Sequence, residues 1–243
     1  MQDAARHGLC AAGRALLAGG CEVCRGWTAG RLCADCRTRF AAPAPRCCRC
    51  ALRVPAGLAC CVDCQRAPPL FERCLCVADY DFPWDRLIGR FKYEQAPELA
   101  LLLADCMAAA AQAAGMPSAE VLVALPLSAQ RLAERGYDQA WELTRRLGRR
   151  LGVPARPRLL ERRFDGQPQA RLTRAQRLRN LQGAFQVPPA AVAAVQGRHL
   201  ALIDDVMTTG ATAHEATRAL LAAGARRVDL WLVARTPVPT HEA

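Results

Sequence analysis

The first third of the chain carries four Cys-x-x-Cys pairs: Cys21/Cys24, Cys33/Cys36, Cys47/Cys50 and Cys61/Cys64. Each such turn aims two sulfurs at one point, and two turns complete a tetrahedral four-sulfur site suited to Zn²⁺. Serial pairing makes one site from the first two pairs and a second from the last two. Crossed pairing has the same sequence, iron–sulfur ligation uses the same ligands, and Cys60 competes with Cys61 for the last pair. A closed four-thiolate site has no open position for water. The two metals are therefore expected to be structural, letting a loop-rich segment fold without its own core. Cys74, Cys76 and Cys106 read as small core residues.

A second constellation lies near the other end. Leu200 to Ile203 is an apolar run followed by two carboxylates, Asp204 and Asp205. Thr208, Thr209, Gly210, Ala211 and Thr212 then lead into a helical pattern. A strand, a diacid, a Thr/Gly turn and a helix N-terminus make one grip on a ribose 5-phosphate. Paired carboxylates accept hydrogen bonds from vicinal hydroxyls. The helix start offers unpaired N–H groups and a positive dipole end to the phosphate. Gly210 lets the backbone approach closely. The plainer alternative is a threonine cluster capping an ordinary helix.

These residues need a frame. Cys74 to Tyr80, Val121 to Leu125, Arg198 to Ile203 and Val228 to Ala234 read as strands, with a weaker one at Arg158 to Arg162. Trp84 to Tyr93, Ala96 to Ala114, Ser128 to Leu151 and Ala211 to Ala223 read as helices, the last ended by Gly224. Strands alternating with helices predict a mainly parallel α/β sheet, which places ligands at the carboxyl edge of its strands. Residues 163–185 are polar and arginine-rich, and read as a mobile loop with a short helix.

The 243-residue chain is 52% hydrophobic, which excludes a disordered protein, and no run of 18 apolar residues predicts a membrane span. No basic segment followed by an apolar stretch opens the chain, so a cytoplasmic location is expected. The net charge is +11, and between Arg131 and Arg179 there are 14 arginines against five acids. Such a field suits a polyanion, whether diphosphate, nucleotide or nucleic acid; a solvated helix face is the plain alternative. Of the 33 basic residues, Lys92 is the one lysine. A compact ammonium can approach a single oxygen where a guanidinium fork cannot. Lys92 is accordingly expected to point into the substrate pocket.

Leu202 to Thr212 resembles the phosphoribosyl-pyrophosphate motif of type I phosphoribosyltransferases. From about Cys21 to Thr236 the chain resembles the bacterial ComF family, which includes competence and DNA-uptake proteins. The resemblance rests on the cysteine pairs, Leu87-Ile-Gly-Arg-Phe-Lys-Tyr93, Leu125-Pro-Leu127, Arg131-Leu-Ala-Glu-Arg-Gly-Tyr-Asp-Gln139, Gln169-Ala-Arg-Leu-Thr-Arg174 and Arg177-Leu-Arg-Asn180. It implies a type I phosphoribosyltransferase-like parallel sheet flanked by helices over residues 71–243. A double zinc ribbon with a short N-terminal helix, residues 1–70, precedes it. It implies that Asp204 and Asp205 hold the ribose, that Thr208 to Thr212 cradle the 5-phosphate, and that Leu125 to Leu127 with Arg131 and Arg135 begin the pyrophosphate loop. Residues 163–180 resemble a loop that closes over the site.

The ligand implied is phosphoribosyl pyrophosphate with Mg²⁺, or a 5-phosphoribosyl nucleotide. The function is transfer of the phosphoribosyl group, or a non-catalytic nucleotide- or single-stranded-DNA-binding role in DNA uptake. The zinc ribbon is a docking module for competence-machinery proteins in a third reading. With 5% aromatic residues, a base-stacking platform is thinly supplied. The family often has His at Ser128, Asn at Asp138 and Gly at Ala51. The 6-oxopurine enzymes carry a carboxylate at the position of Thr208, which argues against hypoxanthine or guanine as acceptor.

Overall fold

The computed structural model describes residues 19–164 and 181–238. Cys10, the expected N-terminal helix, most of the expected closing loop and the two motifs between Gln169 and Asn180 lie outside the described residues. The chain divides into two compact units, residues 1–42 and 43–243.

In the smaller unit, β1 (Gly19–Gly20) pairs antiparallel with β2 (Trp27–Thr28), and α1 covers Ala34–Phe40. The Cys21/Cys24 turn links the two strands. Cys33 starts α1, its sulfur accepting from the Cys36 N–H at 3.4 Å.

The larger unit opens with the second pair of cysteine turns and a short helix, α2 (Val62–Arg66). It continues through β3 (Cys74–Asp79), α3 (Trp84–Tyr93), α4 (Leu99–Ala113), β4 (Val121–Ala124), α5 (Ala129–Arg135) and α6 (Gln139–Leu151). A two-residue ribbon, β5 (Glu161–Arg162) with β6 (Phe185–Gln186), and a short helix, α7 (Val192–Val195), follow. The unit closes with β7 (His199–Met207), α8 (Ala211–Ala222) and β8 (Arg227–Arg235).

Four strands form a wholly parallel sheet in the order β3-β8-β7-β4. Leu200 and Leu202 of β7, with Leu230 and Leu232 of β8, pack against Ala213, Ala216 and Leu220 of α8. Ala201 and Ile203 face the other way and are equally buried, so both faces are covered. This is why the two central strands are almost continuously apolar. The parallel α/β sheet flanked by helices is present, with a cysteine module ahead of it.

Two elements differ from the sequence reading. The helix expected over Ser128 to Leu151 is two helices, because Gly136 adopts φ +77° and closes α5, after which Asp138 caps α6. Strand β7 runs on through both acids to Met207, because β8 keeps pairing with it as far as Met207↔Arg235. Pairing with β4 stops at Ala124↔Ile203. Beyond it the chain turns away through Leu125-Pro-Leu127, opening a crevice beside Asp204 and Asp205 at the carboxyl edge of the sheet.

Candidate functional site

That crevice is a cavity of about 760 Å³. Every residue expected to bind ligand lines it: Asp204, Asp205, Thr208, Thr209, Gly210, Ala211, Thr212, Lys92, Arg131 and Arg135. Leu125, Pro126, Leu127 and Ser128 form its opposite wall.

Lys92 and Asp205 meet at its floor. Lys92 Nζ stands 2.7 Å from Asp205 Oδ1, with side chains only 15% and 8% exposed. Burial pulls the Lys92 ammonium down, but the carboxylates of Asp205 and Asp204 outweigh it and hold its pKa above the ordinary lysine value. Burial, reinforced by the neighbouring Asp205 charge, pushes the Asp204 carboxyl up to about 8. Two acids side by side share one cation, which disfavours both being charged at once. Asp204 Oδ1 also accepts the Asp205 N–H at 2.8 Å.

Lys92 sits near the end of α3 and is held from both sides of the chain. Tyr137 donates its hydroxyl to the Phe91 carbonyl. The Arg135 guanidinium lies 5.2 Å from the Tyr93 ring centre, and Arg135 donates to Gln139 Oε1 at 2.7 Å. The Arg131-to-Gln139 segment therefore positions the lysine as well as presenting its own arginines.

The departures from the family pattern have local explanations. Ser128 caps α5, accepting from the Arg131 N–H at 3.2 Å. Asp138 caps α6, accepting from the Trp141 N–H at 2.9 Å; Asn and Asp serve this position equally. Burial nevertheless raises the Asp138 pKa against the backbone N–H groups that stabilise its anion. Ala51 has φ +58°, the left-handed conformation that favours glycine after a cysteine turn.

Of the threonines before α8, Thr209 accepts from the Ala211 N–H through its Oγ1 at a long 3.5 Å. Gly210, at φ +79°, is the N-cap of α8 and has no side chain with which to cap it. A Cβ there would stand 3.2 Å from Met207 Sδ. The first turn of this 12-residue helix, Ala211 to Ala213, lines the cavity, and a helix N-terminus in that place can receive an anion.

Sequence reasoning missed Arg235, which holds the start of this helix from beneath. Its side chain is buried and donates to four carbonyls: Met207 at 2.9 Å, Thr208, Thr236 at 2.8 Å and Cys50 at 3.0 Å. One guanidinium joins the Cys47/Cys50 turn to the loop between β7 and α8. Only strand register, Met207 opposite Arg235, brings it there. Gln139, the last residue of the Arg131-to-Gln139 motif, also lines the cavity, as do Tyr80, Arg162 and Thr236, which were not expected there.

The cysteines form two clusters, each paired serially: Cys21, Cys24, Cys33 and Cys36 in the smaller unit, and Cys47, Cys50, Cys61 and Cys64 in the larger. Cys61, not Cys60, completes the second. Within each, all four sulfurs lie within 4.8 Å of one another. Cys24 and Cys33 sulfurs are 3.7 Å apart, and those of Cys50 and Cys61 3.6 Å. A Zn–S bond of about 2.3 Å gives a tetrahedral edge of about 3.8 Å, so both clusters can hold zinc. Electrostatics agree. Burial raises the Cys21 thiol, but the backbone N–H groups of Cys33, Cys24 and Val23 overcome it and bring it to about 6. Burial and the neighbouring sulfurs push Cys36 up to about 12. Four adjacent thiols cannot all ionise without a cation between them.

No protein-family model matches the chain. It is 34% identical over 181 residues to the DNA utilization protein YhgH of Escherichia coli K12, covering 72% of this chain and 78% of that protein. It is 29% identical over 224 residues to competence protein F of Haemophilus influenzae, covering 88% of this chain and 96% of that one. Among solved structures, the glutamine phosphoribosylpyrophosphate amidotransferase of B. subtilis complexed with ADP and GMP is similar over 59% of this chain and 30% of its own, at 17% identity and a TM-score of 0.41. With its two cysteine clusters, its parallel sheet and a third of the aligned residues identical to YhgH over most of both chains, the protein belongs to the ComF family of competence and DNA-utilization proteins.

Proposed function

We propose that the cavity binds a 5-phosphoribosyl group, as phosphoribosyl pyrophosphate or as a nucleotide, and that the protein transfers that group. The observation that carries this reading is the Lys92–Asp205 pair and Asp204 sharing one cavity with the N-terminal turn of α8. The amides of α8 and the hydroxyls of Thr208, Thr209 and Thr212 hold the 5-phosphate. Asp204 and Asp205 accept the ribose hydroxyls. The Lys92 ammonium has three donors, so its bond to Asp205 leaves capacity for a ligand oxygen. Arg131 and Arg135 stabilise the diphosphate as an acceptor nucleophile displaces it from the anomeric carbon. Magnesium, if carried in with the ligand, would neutralise part of the diphosphate charge.

A second reading is favoured by the names of the relatives, a DNA utilization protein and a competence protein. In it the same pocket holds a nucleotide or a single-stranded DNA end without turnover, in concert with competence-machinery proteins. Calorimetry with phosphoribosyl pyrophosphate and magnesium tests what the two readings share. Replacing both Asp204 and Asp205 by Asn removes the charged acceptor of Asp205, worth about 1.5–3 kcal/mol, together with the paired carboxyl of Asp204, so affinity should fall by roughly one to two decades. Unchanged affinity sinks the ribose assignment. Pyrophosphate release then separates transfer from the accessory role, for which single-stranded DNA binding that weakens steeply with salt is expected.

A further inference from the structure

Two more cysteines stand beside the second cluster. The sulfurs of Cys48 and Cys60 are 2.9 Å apart. That is shorter than the 3.6 Å between Cys50 and Cys61, and too short for two ligands of one tetrahedral zinc. It lies between a non-bonded sulfur contact and an S–S bond of about 2.05 Å. The pair also lies outside the set of four sulfurs that surround a metal position.

The backbone holds the two residues in place. The Cys48 N–H donates to the Ala59 carbonyl at 2.9 Å, and the Cys48 carbonyl accepts from the Cys74 N–H of β3 at 2.8 Å. Gln65 Nε2 donates to the Cys60 carbonyl at 3.0 Å. Little movement separates the two sulfurs from bonding distance. Both residues are half-buried, within reach of a small oxidant, whereas Cys74 and Cys76 are sealed in the sheet.

We propose that Cys48 and Cys60 are a dithiol that closes to an intramolecular disulfide beside the second cluster, leaving Cys47, Cys50, Cys61 and Cys64 for the metal. The two thiols give up two protons and two electrons as one S–S bond forms. Hydrogen peroxide accepts them, its O–O bond breaks, and two waters leave. The new bond ties the ends of the loop from residue 48 to residue 60. Cys50, inside that loop, accepts from Arg235 beneath the loop between β7 and α8. Oxidation therefore latches the turn that supports the candidate site.

The test is thiol mapping of the full-length, metal-loaded protein. It is purified in reductant, desalted, treated with one equivalent of hydrogen peroxide, then denatured with chelator, alkylated and digested for mass spectrometry. The expected result is a Cys48–Cys60 cross-linked peptide, with alkylated cluster cysteines and unchanged metal content. Cys48→Ser and Cys60→Ser should each abolish the cross-link and keep the metal. Alkylated Cys48 and Cys60 after oxidation of other cysteines overturns the proposal, as does metal lost in step with the cross-link. The wild-type map decides the matter even if either variant fails to fold. It is also independent of what the cavity binds.

Discussion

Lys92 shows how one residue type can carry a site. Its ammonium reaches a single carboxylate oxygen, Asp205 Oδ1, in a space flanked by Asp204. Arginine keeps the charge but brings a planar fork that cannot approach the same way. Lys92→Arg should therefore lose roughly tenfold or more in affinity for phosphoribosyl pyrophosphate, measured by calorimetry; equal affinity refutes a role for shape. Asp204 makes the complementary case. Its carboxyl has a folded pKa of about 8, raised by burial and by Asp205. Between the ordinary aspartate range and that value the folded state binds more protons than the unfolded one. Stability is therefore full at low pH and falls as pH rises towards the folded pKa. Asp204→Asn escapes this penalty. Its Tm should exceed that of the wild type by about 2–4 °C at pH 8 and by less at pH 5. A Tm difference independent of pH would count against the raised pKa.

At the scale of elements, the loop between β7 and α8 depends on what lies under it. β8 ends in Arg235, which donates to the carbonyls of Met207 and Thr208 at the end of β7, and of Cys50 in the cysteine turn. Lysine at this position keeps the charge but cannot span these acceptors. Each buried carbonyl left without a donor costs about 1–3 kcal/mol, so Arg235→Lys should destabilise the larger unit by roughly 2 kcal/mol or more. Denaturant unfolding measures the loss. Hydrogen exchange at residues 207–210 should quicken at the same time. Wild-type stability with wild-type exchange would reduce Arg235 to a bystander. The break between α5 and α6 belongs to this scale too. Gly136 and Asp138 are both visible in the sequence as a stop and a start, yet the helical period on either side masks them.

At the scale of the molecule, the two cysteine clusters serve different surroundings. In the described part of the smaller unit only Cys21, Leu32 and Cys36 are buried, so two of its three buried side chains are cluster cysteines. The second cluster sits in a unit that has the whole α/β core. Elemental analysis should find two zinc ions per chain, and Cys36→Ser should release one. Chelation under reducing conditions should open residues 19–42 to protease while the sheet of the larger unit persists. Loss of the sheet together with the small unit would contradict this division. Among the described residues no helix is long and apolar enough to cross a membrane.

Much of this was legible in the residues themselves. CxxC spacing is a local geometric constraint, so the ligand pairs could be read from the sequence, whereas their serial grouping and the choice of Cys61 over Cys60 could not. The apolar run before Asp204 and the Thr/Gly turn after it are contiguous, so strand, loop and helix were readable in order. Lys92 was marked by its rarity. What the tertiary structure decided was whatever depends on distant segments meeting. Sheet order places Arg235 opposite Met207, and packing of α3 against the α5–α6 turn brings Lys92 to Asp205. The fold around Cys74 and Ala59 sets Cys48 against Cys60. A strand pattern records which side chains are buried. It does not record which strand lies alongside, because the same apolar surface can pair with any of its neighbours until loop lengths and helix packing select one.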